Sequence, residues 1–554
     1  MKLFKNKKKI LLPVLLIFLV GIFLFFVFGN IDHPLLWGDE ADTALFGRQV
    51  LRYGYPKVHD IKNTLNSNLI SGGVGVSRKY DLVTAGMWGQ YYFAALGEHF
   101  AQMTQDLYLK TGILRSLFAI MGIFGIFVLP LIFLFLFKHN TGKKVMAFIL
   151  YVFVQIFSIS LILHIREVRS YSLAILFSSL AVFVFYLFCL ARRMRYIWYF
   201  VSMSFILVLL ANTFPPSYLA ICFSFFLYIV FLSFNKDLEV FGKKIINTNT
   251  LKIVAPIVLS AAFYVPILIF FRTGQTATRS YIDMGYDFPL YLSYMARIII
   301  FLSKYHILFV AVYLKLLNYL RLRSGKVYGE ILEYRQLSSL LLFVFIGFLL
   351  TIPLTPYMFD RYFVFLQPLL TMVVIVDLFI LIGTYRLDRG QDREGLGIHY
   401  YVVFILFAIA QAINFDNLTG HIYELTHKYE GPIDKEIAYI RNIYPDPENL
   451  TIYTNIEQLP LIYYLNSKVM CDESSECYDD PPDIFIPRRY ALSETWSKRY
   501  NEYLSEVSYE KVGLSILDYP VNNIPEFSLT LRHLYKTPLE TDPNRMLYLF
   551  VKKE

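Results

Sequence analysis

Four carboxylates stand close together near the N-terminus of the chain, in the stretch of residues 31–42. They are Asp32, Asp39, Glu40 and Asp42. A long apolar segment precedes them, so they lie where a membrane helix would meet water. Carboxylates are costly in hydrocarbon, so acids at such an exit either lie solvated among lipid headgroups or form a working site. In a working site, a carboxylate can act as a general base.

Guanidinium groups occur in two stretches farther along the chain. Arg166 and Arg169 lie in residues 164–171, between two apolar runs, and Arg361 lies directly before another run. On a helix, Arg166 and Arg169 would share one face. Guanidinium binds phosphate through two parallel hydrogen bonds, so these arginines suit a phosphate clamp. The alternative is that each one reaches lipid headgroups or pairs with nearby acids.

The composition assigns the chain to the membrane proteins. Of its 554 residues, 56% are hydrophobic, 18% are aromatic and only 17% are charged. The mean hydropathy is +0.48, well above that of soluble domains. The net charge of +9 comes from basic residues in short loops between apolar runs. Such residues orient membrane helices, so the positive charge does not indicate nucleic-acid binding.

The apolar runs predict about eleven membrane-spanning helices. They lie at residues 10–28, 113–137, 145–163, 171–190, 197–210, 217–234, 253–271, 298–317, 337–353, 363–382 and 401–413. The first is expected to be an uncleaved span, because no small-residue cleavage site follows it. Lysines before it place the N-terminus in the cytoplasm, and basic clusters in nearly every second loop agree. Charged residues interrupt the run at 289–317, so part of that run is open to an interfacial helix.

This topology divides the chain into two domains. Residues 1–413 form a transmembrane domain with residues 31–112 as its first extracytoplasmic loop, and residues 414–554 form an extracytoplasmic domain. Two amphipathic helices are predicted within the loop, at residues 44–51 and 87–96. The expected fold is therefore a polytopic α-helical membrane protein with a C-terminal extracytoplasmic domain.

The C-terminal region predicts a small α/β domain. Residues 451–455 and 483–487 have the pattern of buried strands, and residues 458–465 lie between them with the pattern of a helix. Cys471 and Cys477 occur in the same region. Outside the cytoplasm, these two cysteines suit a disulfide.

Several short motifs follow one another in a specific order and on one predicted side of the membrane. They are Trp37-Gly38-Asp39-Glu40-Ala41 with Arg52-Tyr53-Gly54-Tyr55-Pro56, Gly89-Gln90-Tyr91-Tyr92 with Arg115, Arg166-Glu167-Val168-Arg169-Ser170-Tyr171, and Asp360-Arg361-Tyr362 with Pro368. This order resembles that of the GT-C membrane glycosyltransferases, specifically the protein O-mannosyltransferase and aminoarabinose transferase type. Members of that type use polyprenyl-phosphate sugars. The resemblance covers roughly the first 385 residues, and the tail beyond residue 414 varies widely among such proteins.

The resemblance implies an inverting glycosyltransferase that moves a sugar from a polyprenyl-phosphate donor to an extracytoplasmic acceptor. Asp39 would be the general base that takes the proton of the acceptor. Glu40 is a second candidate catalytic residue in a supporting role, because on a helix it projects about 100° away from Asp39. Glu167 would orient the sugar or hold Arg169. The acceptor is a protein, a lipid or a cell-envelope glycan.

The remaining expected site residues fall into two groups. Those for the donor phosphate are Arg169, Arg361, Arg166 and Tyr362. Those for the rest of the pocket are His164, Arg115 and Tyr171. A further acid that assists catalysis would be Glu98 or Asp81. No cofactor is predicted and a divalent metal is optional, because the outer loops lack the Asp-x-Asp pairs and the Trp-Trp-Asp signature of the related oligosaccharyltransferases.

Two other classes of function stay open at this point. A transporter or lipid flippase requires charged residues midway along the spans and paired halves of the chain, whereas charged residues here concentrate at the ends of the spans. A noncatalytic membrane scaffold would present the tail domain. The expected location is the plasma or inner membrane, or the endoplasmic reticulum. The expected partners are the donor lipid, membrane lipid and an acceptor, without nucleic acid.

Overall fold

A computed structural model describes most of the chain. The residues that it describes are 2–65, 75–77, 79–84, 86–138, 140–234, 248–271, 273–304, 307–322, 330–388, 426–428, 430–471, 481–489, 494–518 and 546–553. The predicted span at 401–413 and one partner of the predicted disulfide, Cys477, lie outside these residues.

The N-terminal region is a bundle of helices with one small hairpin. Its helices are α1 (Lys2–Phe28), α2 (Gly38–Tyr53), α3 (Gly89–Ala101), α4 (Leu107–Val128), α5 (Ile132–Leu136), α6 (Thr141–Ile156), α7 (Ile159–Arg166), α8 (Tyr171–Phe185), α9 (Tyr196–Thr213), α10 (Pro215–Phe234), α11 (Thr248–Phe270), α12 (Thr273–Asp283), α13 (Phe288–Lys304), α14 (Ile307–Leu322), α15 (Glu330–Thr351) and α16 (Leu366–Asp388). Strands β1 (Val76–Ser77) and β2 (Leu82–Val83) pair antiparallel between α2 and α3.

Within the described residues, eight helical segments are long and apolar enough to cross a membrane. They are Leu11–Phe28, Leu107–Leu136, Tyr171–Leu190, Tyr196–Thr213, Pro215–Leu232, Thr250–Phe270, Glu330–Leu354 and Leu366–Thr384. The bent pairs α6 with α7 and α13 with α14 raise the number to ten if each pair is one span. The chain is therefore a polytopic helical membrane protein.

The predicted span at 145–163 is broken by a sharp bend. α6 ends at Ile156, and α7 continues at an angle of 77° to it. At the break, the backbone NH groups of Phe157 and Ser158 donate to carbonyls three residues earlier, Val154 at 3.1 Å and Gln155 at 3.0 Å. This tighter turn ends the first helix. The bend directs the end of α7 toward the first loop.

The helices α4 and α8, which lie near the first loop, pack closely against each other. A Cβ atom at Gly125 would lie only 2.6 Å from the backbone nitrogen of Leu176, so only glycine allows this approach. Gly122 lies one turn earlier, and a Cβ there would meet Ile165 of α7 at 2.6 Å. The helices α4, α7 and α8 therefore meet at short range near the point where residues 166–170 connect α7 to α8.

The C-terminal region forms a mixed five-stranded sheet with helices. Its elements are α17 (Pro432–Ile443), β3 (Thr451–Thr454), α18 (Gln458–Leu465), β4 (Lys468–Cys471), β5 (Ile484–Ile486), α19 (Glu494–Glu506), β6 (Tyr509–Leu517) and β7 (Met546–Lys552). The strand order is β4-β3-β5-β7-β6, in which β3 is parallel to β4 and β5 while β7 is antiparallel to β5 and β6. The two strands and the helix that the sequence predicted here are confirmed.

The C-terminal sheet region packs directly on the first loop of the membrane region. Buried side chains of α2, α3 and α4 share one hydrophobic core with those of α17, α18 and the sheet. Backbone NH groups of the segment before α2 donate across this contact. Leu35 donates to Asp434 at 3.0 Å, and Leu36 donates to the hydroxyl of Tyr464 at 3.0 Å. α2 is therefore fixed from both sides, by the bundle and by the C-terminal region.

Candidate active site

Asp39 is the centre of a charged cluster at the first turn of α2. Its Oδ2 atom lies 3.0 Å from Nη2 of Arg361 and 3.6 Å from Nη2 of Arg169. The Asp39 side chain is 37% exposed, whereas those of Arg361 and Arg169 are 7% and 18% exposed. Among the described residues, no hydrogen bond reaches the Oδ1 atom of Asp39. One carboxylate oxygen is therefore held by two guanidinium groups, and the Asp39 side chain remains partly exposed.

Arg169 joins the first turns of α2 to the segment between α7 and α8. Its Nη1 atom donates to the backbone oxygen of Asp39 at 3.1 Å and to Oγ1 of Thr43 at 3.3 Å, and it lies 3.6 Å from Oδ2 of Asp42. Its Nε atom is buried and makes no hydrogen bond with any described residue. The Nε and Nη2 edge is the one that guanidinium uses for bidentate contact with phosphate or carboxylate. On that edge of Arg169, Nε therefore still has a hydrogen bond to donate.

Aromatic rings surround the Arg361 guanidinium. Its central carbon lies 4.6 Å from the ring centroid of Phe359, 5.4 Å from that of Trp37 and 5.5 Å from that of Tyr171. Aromatic faces attract cations at these distances. The Trp37 indole nitrogen is also buried here without a hydrogen-bond partner among the described residues. The rings restrict Arg361 to one orientation, with Nη2 directed at Asp39.

A buried chain of three ionisable residues lies behind Arg361. Nδ1 of His164 is 3.2 Å from Oε1 of Glu167, and its Nε2 is 3.8 Å from Oδ1 of Asp360. The same Asp360 oxygen accepts a hydrogen bond from the backbone nitrogen of Arg361 at 3.0 Å. His164 therefore connects the end of α7 to the short 3-10 helix that carries Arg361.

Glu40 lies in a separate buried ion pair with Arg115 of α4. Nε of Arg115 donates to Oε1 of Glu40 at 2.9 Å and Nη2 to Oε2 at 2.5 Å, and the Glu40 side chain is fully buried. Arg115 also donates to the backbone oxygen of Pro34 at 2.6 Å, and Val168 donates to Glu40 at 3.0 Å. Among the described residues, no contact joins Glu40 to Arg361 or Arg169, the two arginines that pair with Asp39. This pair fixes the backbone around the cluster.

Two further expected phosphate-binding residues take other positions. Nη2 of Arg166 donates to the backbone oxygen of Gly29 at 2.8 Å, which ties α7 to the end of α1. The ring of Tyr362 packs on Tyr171 and Phe214, with centroids 6.2 and 5.2 Å apart. Tyr362 therefore supports the ring that faces Arg361, and Arg166 supports the helix that carries His164.

The sequence did not single out several residues that complete the cluster. Asp42 was noticed only as a nearby acid, although its i, i+3 spacing from Asp39 places both on one face of α2. The pKa of Asp42 is raised to about 7, chiefly by burial and also by the negative charge of Asp39, against the lowering effects of Arg169 and of a hydrogen bond from Tyr91. Trp37 was noticed only within a motif.

Glu98 and Asp81 are not brought to Asp39 by any described contact. Glu98 accepts a hydrogen bond from the Tyr463 hydroxyl at 2.5 Å and lies 3.5 Å from Nε of Arg48. Burial raises its pKa above the usual range despite the charge of Arg48. Asp81 pairs with His59 at 2.5 Å in an exposed loop. Within the described residues, no group of three or more His, Cys, Asp or Glu side chains could hold a metal ion.

Comparison with known proteins gives a likeness of fold. No protein-family model and no curated protein matches the chain. Two solved structures of ArnT from Cupriavidus metallidurans match 96% of the chain and 97% of their own length, at 10% identity. The TM-score is 0.52 for the apo state and 0.50 for the structure bound to undecaprenyl phosphate. The chain is thus an integral membrane protein with a GT-C-type fold.

Proposed function

We propose that this protein is an inverting glycosyltransferase that moves a sugar from a polyprenyl-phosphate donor to an extracytoplasmic acceptor. The observation that carries the proposal is the accessible carboxylate of Asp39, held on one oxygen by Arg361 and Arg169. The likeness in fold to an ArnT structure bound to undecaprenyl phosphate supports a polyprenyl lipid as the donor.

The two arginines are proposed to bind the donor phosphate. The unsaturated Nε and Nη2 edge of Arg169 suits two phosphate oxygens, and Arg361 is oriented by its aromatic rings on the other side of Asp39. When the bond between the anomeric carbon and the phosphate oxygen breaks, its electron pair stays on the phosphate. Guanidinium groups already in place stabilise this growing charge in the transition state.

Asp39 is proposed to act as the general base. The acceptor hydroxyl or phosphate oxygen forms a bond to the anomeric carbon from the side opposite the leaving phosphate, which inverts the configuration. Its proton passes to Asp39, for which Oδ1, the oxygen away from the two ion pairs, is the suitable acceptor. A positioned general base contributes about 10²- to 10⁴-fold to the rate.

The other expected site residues are proposed to act by positioning. Glu167 and His164 hold the segment of Arg361 through Asp360, rather than contacting the sugar. Glu40 and Arg115 fix the backbone at Pro34, before α2, and at Val168, next to Arg169. Arg166, Tyr171 and Tyr362 support the helix ends and the rings around Arg361. A divalent metal stays optional in this scheme.

The proposed topology places the cluster outside the cytoplasm. The N-terminus would be cytoplasmic, with residues 1–413 as the transmembrane catalytic domain and residues 414–554 as an extracytoplasmic α/β domain. The contact of the C-terminal region with α2 supports a common side for that region and the cluster. The C-terminal domain and the first loop are the proposed site for the acceptor.

The test is a transfer assay with the full chain purified in nanodiscs. The protein is incubated with a panel of radiolabelled polyprenyl-phosphate sugars and with membrane extract as the source of acceptor. We expect one donor to be consumed with release of polyprenyl phosphate, and consumption about 10²- to 10⁴-fold slower by the Asp39→Asn variant. If wild type binds a donor and consumes none, the transferase proposal fails.

One observation favours a transporter as the second candidate. The expectation that charges concentrate at span ends fails at Lys315 of α14 and Asp377 of α16, whose Nζ and Oδ2 atoms lie 3.2 Å apart within the spans. Asp377 also accepts from Ser338 of α15 at 2.6 Å. Buried charges within spans mark ion or substrate paths in transporters. Movement of a donor lipid across vesicles without sugar transfer, lost in Asp377→Asn, would support this candidate.

A further inference from the structure

Asp42 lies beside the proposed phosphate site without a role in the transfer step. It is one turn of α2 beyond Asp39, and its Oδ2 atom is 3.6 Å from Nη1 of Arg169. Nη2 of the same guanidinium is 3.6 Å from Asp39. Arg169 therefore bridges two carboxylates, and a phosphate that binds its free edge would bring a third negative charge to one cation.

The charged surroundings of Asp42 come from three elements. Asp39 faces it from its own helix, Arg169 from the segment between α7 and α8, and Tyr91 from α3, whose hydroxyl hydrogen-bonds to its carboxylate. The helix α18 also packs on α2 but carries no charged residue. Among the residues that the structure describes, the cation nearest to Asp42 is thus Arg169.

We propose that Asp42 is the resident counterion of Arg169 and takes up one proton from solvent when the donor phosphate binds. The anion then becomes a partner of Arg169 on its Nε and Nη2 edge, and neutral Asp42, which lies at Nη1, no longer repels it. The proton returns to solvent when polyprenyl phosphate leaves. This inference rests on the proposed function, and it makes Asp42 a positioning residue that couples phosphate binding to protonation.

In the protein without bound donor, the pKa of Asp42 is about 7. This value determines how the affinity for the donor phosphate depends on pH. Below this pH, Asp42 is already protonated, so binding takes up no proton and affinity is independent of pH. Above it, binding must recruit a proton, and affinity falls as pH rises, by up to about tenfold for each pH unit. A Tyr91→Phe variant loses the hydrogen bond to Asp42, which would raise the pKa of Asp42. The affinity for phosphate would then begin to fall at a higher pH.

The test measures binding of polyprenyl methyl phosphate to the full chain in nanodiscs, from about pH 6 to about pH 9. This phosphodiester keeps a single negative charge over that range, so any dependence on pH comes from the protein. We expect the fall in affinity in wild type and in the exposed-carboxylate control Asp283→Asn, a later fall in Tyr91→Phe, and none in Asp42→Asn.

The outcomes separate this inference from the function on which it rests. Binding with no fall in wild type, or with the same fall in Asp42→Asn, overturns the role of Asp42 and leaves the phosphate site intact. Absence of binding at every pH overturns the phosphate site and the inference together. Calorimetry in two buffers of different ionisation enthalpy counts the proton directly, with one proton expected above about pH 7 in wild type and none in Asp42→Asn.

Discussion

At the scale of single residues, the cluster depends on the geometry of arginine. Arg361 makes an ion pair with Asp39 at 3.0 Å while aromatic rings lie around its guanidinium plane. A planar, delocalised cation can stack and donate in its plane at the same time, whereas an ammonium group cannot. The identity of this residue therefore matters beyond its charge.

Replacement of Arg361 by lysine tests this dependence. We expect Arg361→Lys to lower kcat for sugar transfer by about 10²- to 10³-fold, the usual effect of losing one preorganised donor to a developing negative charge. Arg297→Lys is the matched control, because Arg297 also lies over a ring, that of Tyr294 at 5.5 Å, without contact to the cluster in the described residues. Equal kcat in Arg361→Lys and wild type would contradict the proposed role.

Residue types and their order predicted part of the cluster. Asp39, Arg169 and Arg361 were selected because carboxylate and guanidinium suit chemistry on a phosphate, and the structure brings all three together. The sequence could not distinguish Glu40 and Arg166 from the residues of the Asp39 cluster, because it does not show which partner a charged residue meets. The sequence did not predict Phe359 as part of the cluster, since aromatic residues are common throughout this chain.

At the scale of elements, a buried ion pair fixes α2 to α4. Glu40 begins α2 and Arg115 lies in α4, and both side chains are almost completely buried. Each depends on the other, because a single buried charge without its partner is strongly unfavourable. The pair also holds the backbone of Pro34, before α2, and of Val168, next to Arg169.

Loss of one partner of this pair should destabilise the whole first loop. We expect Glu40→Gln to lower the free energy of unfolding by about 3–5 kcal/mol. Glu333→Gln is the matched control, because Glu333 pairs with Lys138 at 2.9 Å on an exposed surface, where such pairs contribute about 0–1 kcal/mol. Denaturant unfolding in detergent measures both. Similar losses in the two variants would contradict the structural role of Glu40.

A second buried charge cluster, in the C-terminal region, should make stability depend on pH. Arg488 contacts Asp518 at 2.7 Å, Glu457 and Glu436, with Glu436 at 3.4 Å. The pKa of Glu436 is raised to about 8, chiefly by burial and also by the neighbouring carboxylates, although Arg488 lowers it. The folded state therefore binds this proton more tightly than the unfolded state.

The sign of the pH effect follows from that raised pKa. The contribution of Glu436 to stability is fully present below its unfolded pKa of about 4.3 and is lost as pH rises to about 8. Unfolding of the full chain, followed at several pH values in wild type and Glu436→Gln, isolates the effect. We expect the stability of wild type relative to the variant to decrease as pH rises. A constant difference would contradict the assignment.

Hydropathy predicted most elements of the bundle, because apolar length alone defines a span. The bend between α6 and α7 was missed, since neither glycine nor proline marks the break at residues 157–158. In the C-terminal region, short apolar runs typical of buried strands, with a helical stretch between them, were sufficient for β3, α18 and β5. Strand order was beyond prediction, because pairing joins segments far apart in the sequence.

At the scale of the whole molecule, the C-terminal region and the first loop form one structural unit. Arg48 of α2 lies 4.4 Å from the ring centroid of Tyr463 and donates to its backbone oxygen at 3.3 Å. The Tyr463 hydroxyl donates to buried Glu98 of α3. These residues are about 400 positions apart, so no local pattern could predict their contact.

Removal of the Tyr463 hydroxyl should loosen this contact. We expect Tyr463→Phe to cost about 1–3 kcal/mol, because Glu98 is left buried without that hydrogen bond. Hydrogen exchange of the full chain should then be faster in α2, α3 and α18 and unchanged in α15. Unchanged exchange in α2 and α3 would show that the C-terminal region does not support the first loop.

The most direct test of the central claim is single-turnover transfer from a radiolabelled polyprenyl-phosphate sugar to acceptor in membrane extract, by purified wild type and by Asp39→Asn, with donor binding measured in parallel. The mechanism predicts that the variant binds the donor and releases sugar from it about 10²- to 10⁴-fold more slowly. It also predicts that wild type inverts the anomeric configuration. Cleavage by Asp39→Asn at the wild-type rate would contradict the assignment of Asp39 as the general base.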